Sequence, residues 1–334
     1  MTVRLGFIGV GGMAQYHINK LKLVPQALIV SVYDANPETA RKVGEETGAL
    51  VMDHADQVLD PAHIDAVFIC TPQFAREQLE ETAASRGIHI FAEKPLGLQM
   101  DVVRRKEQAI REAGIINSAG YCLRYLDTVT KAKLYLQDKS IHMVNGYRFG
   151  GLHPSKWWRN LELSGGHFVD TATHQVDMIR YLCGDFVEID AKFEQQSLQT
   201  VDPDATIYDA GVAAFKLGSG VTGYVSDSCL ARYSGRAEVE VYGTDFYLQL
   251  SKNGTVLTII DEKQNVVETS KTDFYLEQNR TFVEAVASGS MSAIRSPYAD
   301  AMKTLEVTLV ANESTLVRRP LPIGEPHVTL EIAN

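Results

Sequence analysis

Asp170, His174 and Asp177 are spaced four and three residues apart in the stretch 170–177, DTATHQVD. A helix advances about 100° per residue, so the three would share one stripe spanning roughly 10 Å of axis. An imidazole between two carboxylates can move a proton near neutral pH. Alternatively, the same row forms a solvated acidic face with a surface histidine. Val176, Ile179 and Leu182 lie opposite and can be buried, while Ser164-Gly165-Gly166 allows tight turns and close backbone approach just before. A metal would need all three groups to converge from one helix with no outside ligand cluster evident, so no metal is expected.

At 334 residues the chain is long enough for two domains, and its balance of 45% apolar and 22% charged residues is that of a globular protein. Its net charge of −10 disfavours nucleic acid or an anionic membrane as a partner. Cys70, Cys122, Cys183 and Cys229 are scattered and read as free thiols of a reducing compartment. The chain begins in a strand pattern and has no apolar run near the roughly 20 residues of a membrane span, so a cytoplasmic protein is expected. Asn253-Gly254-Thr255 reads as a hairpin turn, its match to a glycosylation acceptor being idle without secretion.

The elements that would position the chemistry begin with an apolar strand at 3–8. Gly9-Val10-Gly11-Gly12-Met13-Ala14 follows, then a helix pattern over 13–23 and a second strand at 27–33 ending in Asp34. Gly9 serves the tight turn and Gly11 the approach of a pyrophosphate; Gly12 and Met13 open the helix, and Ala14 lets it pack on the strand. Asp34 stands where a carboxylate accepts ribose hydroxyls and repels a 2′-phosphate, so NAD is preferred, with NADP left open. Strand and helix patterns then alternate to about residue 117, which predicts a doubly wound parallel sheet. Thr71-Pro72 and Glu93-Lys94-Pro95 fall at strand carboxyl ends, on the cofactor side of such a sheet. The expected division is a dinucleotide-binding domain at 1–120 and a substrate-binding and oligomerisation domain at 121–334.

From residue 120 the pattern changes. Short alternating strands at 187–193, 209–217, 220–228, 236–243, 247–250 and 256–261 predict a large, mainly antiparallel sheet, and helices over 275–288 and 297–316 close the chain. The fold class is thus an α/β Rossmann domain followed by an α+β domain with an open sheet. Its uncovered face predicts a homodimer or homotetramer. Trp157-Trp158 cannot share one face, so one packs inward and the other covers something; a sugar ring stacks well on indole, which makes Trp158 or Trp157 a candidate pocket wall.

With G-x-G-x-x-A, T-P, E-K-P and Asp170-x-x-x-His174 in this order, the chain resembles the Gfo/Idh/MocA oxidoreductases over nearly its whole length. The resemblance implies hydride transfer between a nicotinamide and a secondary alcohol of a sugar or cyclitol. It also implies that Lys94 is the catalytic lysine, that the bond before Pro95 is cis, and that Arg124 lies near the substrate. Arg76 departs from it, standing where the family often has histidine; a guanidinium facing solvent from its helix is the expectation. In the expected reaction His174 takes the hydroxyl proton, Lys94 orients the oxygen, and Asp170 binds a neighbouring hydroxyl and pairs with the lysine. Asp177 would set the histidine tautomer or only end the row. Two rivals remain: a glycosidase that oxidises its sugar transiently with bound NAD, and a non-catalytic NAD-binding regulatory protein.

Overall fold

The computed structural model describes residues 1–324; the last ten residues of the second expected domain lie outside them. Strands β1 (Val3–Ile8), β2 (Ala27–Tyr33), β3 (Leu50–Val51), β4 (Ala66–Ile69), β5 (His89–Ala92) and β6 (Asn117–Ala119) form one sheet ordered β3-β2-β1-β4-β5-β6, every neighbouring pair parallel. Runs such as Ala66-Val67-Phe68-Ile69 are buried at every position because helices cover both faces of the sheet. The order reverses between β1 and β4, so the crevice at their carboxyl ends is where a ligand fits. Local chemistry sets the helix ends. Asn36 caps the helix Pro37–Thr47 by accepting from the Glu38 and Thr39 amides, and Gly48 ends it at φ 75°.

The core of this sheet is an aromatic ladder. Phe7 and Phe68 stack at 4.8 Å, Phe68 and Phe91 at 4.6 Å, and Phe282 meets both edge-on at 5.4 and 5.5 Å. Phe282 belongs to the helix Phe274–Ser288, so the chain comes back to complete the core of its own first sheet.

Strands β7 (Ile141–Phe149), β8 (Phe186–Glu194), β9 (Ala210–Leu217), β10 (Thr222–Ser228), β11 (Arg236–Gly243), β12 (Phe246–Ser251), β13 (Val256–Asp261), β14 (Asn265–Thr269) and β15 (Leu321–Pro322) build the second sheet. Its order is β14-β13-β12-β11-β7-β10-β9-β8-β15, antiparallel except for the parallel pair β7–β10. Helices Asp127–Leu136, Thr173–Cys183 and Tyr298–Val317 cover one face. Lys252, Asn253 and Gly254 form the β12–β13 hairpin turn, all at positive φ. No helix among the described residues is long and apolar enough to cross a membrane.

Two expectations need correction. The helix expected from about residue 74 breaks into a 3₁₀ turn at Gln73–Ala75 and a helix at Leu79–Ser85, with Glu77 at φ 38° between them. Arg76 sits in that break and does not face solvent. It is buried, its Nε donating to the Thr71 carbonyl at 3.3 Å and its Nη1 lying 3.9 Å from Glu80 Oε1. Glu80 in turn accepts from Lys106 at 2.7 Å, so the guanidinium belongs to an enclosed charge cluster.

Removing a buried aromatic costs about 3–5 kcal/mol. Phe282→Ala should lower unfolding stability by that amount, read by urea denaturation, and should weaken NAD retention, because Phe282 closes the core beneath the crevice. An unchanged midpoint would show that the returning helix is dispensable to the first sheet.

Candidate functional site

Gly9 leaves β1 at φ 80°, and a Cβ there would lie 2.8 Å from the Thr71 amide nitrogen, so only glycine lets the first and fourth strands end side by side. Gly11 and Gly12 open the helix Gly12–Leu21, and a Cβ on either would meet nothing within 4 Å. Open space over a helix N-terminus suits a pyrophosphate, which the free amides and the dipole attract. Ala14 is buried in the helix–sheet contact. Asp34 stands at the rim, accepting the Val10 amide at 2.8 Å and the Asn36 amide at 2.9 Å. A cleft of about 580 Å³ runs from Val10, Gly11 and Gly12 to the helix Pro37–Thr47. These features fit a dinucleotide.

Lys94 and Asp170 come together across the two sheets. Lys94 follows β5, and the Lys94–Pro95 peptide is cis. Asp170 lies in a π-helical turn, Phe168–Ala172, that runs into the helix Thr173–Cys183. Such a turn shifts the backbone ladder and frees a carbonyl for another donor. Lys94 Nζ donates to the Asp170 carbonyl at 2.7 Å and lies 3.8 Å from its Oδ1. Burial would raise the Asp170 pKa, but the Lys94 charge and hydrogen bonds from Trp158 and Thr171 hold it below the usual carboxylate range.

His174 stands one turn on. Enclosure in protein, then the charges of Lys94 and Arg148, push its pKa well below the ordinary imidazole value. Its Nδ1 is buried without a partner, which also disfavours the doubly protonated ring. The Tyr121 ring meets it edge-on at 6.2 Å, fixed through a 2.9 Å hydrogen bond to Thr173 Oγ1. The site therefore pairs an ionised carboxylate with a neutral imidazole around one ammonium.

Several expected residues sit elsewhere. Asp177 and Arg124 are both buried and locked together at 2.5 and 2.8 Å, with Asp300 and Thr304 completing the network. Arg124 is thus unavailable to a substrate, and Asp177 neither reaches His174 nor continues an acidic face. Trp158 is only 2% exposed and has no open face for a sugar ring; its Nε1 instead donates to Asp170 Oδ2 at 2.8 Å. Trp157 packs on Phe74 at 5.7 Å, bridging the two halves. The Glu93 side chain turns inward and is buried. It meets His17 Nε2 at 2.8 Å and accepts the Lys94 amide at 3.1 Å, which makes it a support of the lysine. Thr71 and Pro72 border the crevice, and the Thr71 hydroxyl is buried without a partner.

Arg148, His153, His167, Asp227 and Tyr121 are neighbours of the site that the motif reading passes over. Arg148 carried a signal: Val144, Gly146 and Arg148 alternate onto one face of β7, and the Ile179 side chain over Gly146 identifies that face as the helix-covered one.

Comparison with known proteins agrees with the geometry. A family model described as an NAD-binding Rossmann-fold oxidoreductase family matches residues 3–121, and the C-terminal domain model of that family matches 139–249. The chain is 26% identical to a myo-inositol 2-dehydrogenase of Thermotoga maritima, over 97% of this chain and 99% of that one. To an NAD⁺-dependent scyllo-inositol 2-dehydrogenase of Bacillus subtilis it is 27% identical, over 96% of each. The fold matches a levoglucosan dehydrogenase solved with NADH at a TM-score of 0.86 and 20% identity, covering 98% of this chain and all of that one.

Breaking a buried ion pair by removing one partner costs about 3–5 kcal/mol. Arg124→Ala should destabilise the protein by that amount in chemical denaturation, while the folded variant keeps its Michaelis constant for the alcohol. A variant of wild-type stability with a raised Michaelis constant would return Arg124 to the substrate site.

Proposed function

The chain belongs to the Gfo/Idh/MocA oxidoreductases, and we propose that it is an NAD-dependent dehydrogenase oxidising a secondary alcohol on a sugar or cyclitol ring. The observation that carries this reading is the meeting of Lys94 with Asp170 and His174 beside the carboxyl ends of the first sheet. Two similar chains act on inositols, which supports a ring polyol as substrate. Gly11 and Gly12 at the helix end would hold the pyrophosphate of NAD and Asp34 its ribose, and the nicotinamide would supply the hydride acceptor.

The chain's own residues do the rest. His174, neutral and half-enclosed, takes the hydroxyl proton. Lys94 donates to the same oxygen and stabilises the alkoxide as it forms. Its ammonium is aimed by the Asp170 carbonyl, and the amide of the same residue is held by Glu93. The Asp170 carboxylate, oriented by Trp158 and Thr171, accepts a neighbouring hydroxyl.

The second sheet has a face that no helix covers, with Met143, Val212, Ile260 and Val267 exposed on it. We assign that face to self-association, as a homodimer or homotetramer. Light scattering coupled to size exclusion should give a mass of at least two chains; a monomer at micromolar concentration would reject the assignment.

His174→Ala should cut turnover by about 10²–10⁴-fold while leaving the NAD dissociation constant nearly unchanged. The panel of cyclitols and aldoses that finds the substrate reads both, through NADH absorbance. The sign of the pH dependence follows from the charges. A base must be unprotonated, and enclosure together with Lys94 and Arg148 disfavours the imidazolium, so activity should persist below about pH 6.5 before falling with acid. An acid limb above the ordinary histidine value would remove His174 as the base.

A further inference from the structure

Arg148 is a cation beside the reaction site that makes no direct ion pair among the described residues. It is the penultimate residue of β7, on the helix-covered face, the face that carries Gly146 beneath Ile179. Asp227 is its register neighbour on β10 and shares that face. Among the described residues its guanidinium makes one hydrogen bond, from Nη1 to Asn253 Oδ1 at 2.7 Å, and no carboxylate oxygen lies within 4 Å of it. Its Nε is buried with no partner at all.

The two nearby carboxylates are already engaged. Asp227 Oδ1 is paired with His167 Nδ1 at 2.6 Å. Asp170 accepts from Trp158 and Thr171 and faces Lys94. Asn253 holds the guanidinium from a turn at φ 57°, a conformation few residues other than glycine, asparagine and aspartate adopt readily. The arginine is therefore aimed, not idle. Enclosure draws its pKa down even though Asp227 and Asp170 oppose that, and its charge reaches His174.

A half-enclosed guanidinium with free donors is costly unless something neutralises it. Arginine's planar fork matches a carboxylate or a phosphate better than it matches a hydroxyl. With Lys94 the site holds two cations beside two carboxylates, Asp170 bonded to Trp158 and Thr171 and Asp227 bonded to His167, and neither carboxylate pairs with the guanidinium. We infer that Arg148 binds an anionic substituent of the substrate, so that the preferred substrate is a ring alcohol bearing a carboxylate or a phosphate and not a neutral polyol. This inference rests on the dehydrogenase reading above and narrows its substrate class.

The test compares matched substrates on the full-length protein with NAD: glucose against glucuronate and glucose 6-phosphate, and myo-inositol against a myo-inositol monophosphate. The expected result is a kcat/KM about 10- to 150-fold higher for one acidic member than for its neutral partner, the range for a charge-assisted hydrogen bond. The carboxylate and phosphate arms tell the two anions apart. Arg148→Met should lower kcat/KM for the acid at least tenfold more than for the neutral alcohol, through KM, and Arg148→Lys should recover part of that preference. A merely structural arginine would lower both together. Neutral members turned over as well as acidic ones would overturn the inference and leave the dehydrogenase reading intact. No NADH from any pair would count against that reading instead; calorimetric titration of glucuronate and glucose 6-phosphate into the NADH complex then decides on Arg148 alone, and binding no tighter than that of glucose would overturn its role.

Discussion

The bond from Lys94 Nζ to the Asp170 carbonyl is the constraint from which the rest of the site takes its geometry. It joins a residue just past a strand of the first sheet to a turn that leads into the central helix of the second domain. It exists because the Phe168–Ala172 turn is π-helical and leaves a carbonyl for a side chain to take. An ammonium fixed in this way acts on both neighbours on top of their burial. The same positive charge favours the Asp170 carboxylate and disfavours the His174 imidazolium. One cation thus biases two adjacent groups in opposite directions, toward an ionised carboxylate and a neutral imidazole.

Support for this geometry is buried and polar on both sides. Behind Lys94, Glu93 accepts the Lys94 amide and meets His17, whose other ring nitrogen faces Asn279 Oδ1 at 2.8 Å. Asn279 also donates to the His17 carbonyl, which identifies its facing atom as oxygen and His17 Nδ1 as a donor. His17 is thereby held between Asn279 and Glu93 through both ring nitrogens. Beyond His174 on its helix, Asp177 is clamped by Arg124 and Thr304, and Asp300 joins Arg124 to Arg180. Buried ion pairs of this kind contribute little net stability against an apolar replacement, but they specify orientation.

What could be read from the sequence divides along physical lines. The places of Gly9, Gly11, Asp34 and Lys94 at strand ends are legible because strand and turn patterns are local, and local rules survive folding. The parallel sheet follows from apolar runs, and the open sheet from alternation. Arg124, Trp158, Glu93 and Arg76 were assigned to surfaces or ligands by position, yet each is enclosed, because a long polar side chain takes its partners from segments far away in sequence. Asp65 for Arg4, Asp177 for Arg124 and Asp170 for Trp158 are all tertiary choices. The π turn was equally hidden: the spacing of Asp170, His174 and Asp177 suggested one regular helix, whereas the shifted ladder separates Asp170 from the run that holds the other two.

The two C-terminal helices make the halves a single frame. Phe274–Ser288 delivers Phe282 to the aromatic ladder and Asn279 to His17; Tyr298–Val317 delivers Asp300 and Thr304 to the ion network beneath His174. Both halves of the site are therefore braced from behind by residues 279–304. At the front the halves touch through lighter contacts, Phe74 on Trp157 and Gln73 on the Ser164 carbonyl at 2.9 Å, in segments that are short 3₁₀ turns or loops. Trp158 ties the front to the rear, because it lies in the 150–163 segment and donates to the same Asp170 whose carbonyl holds Lys94.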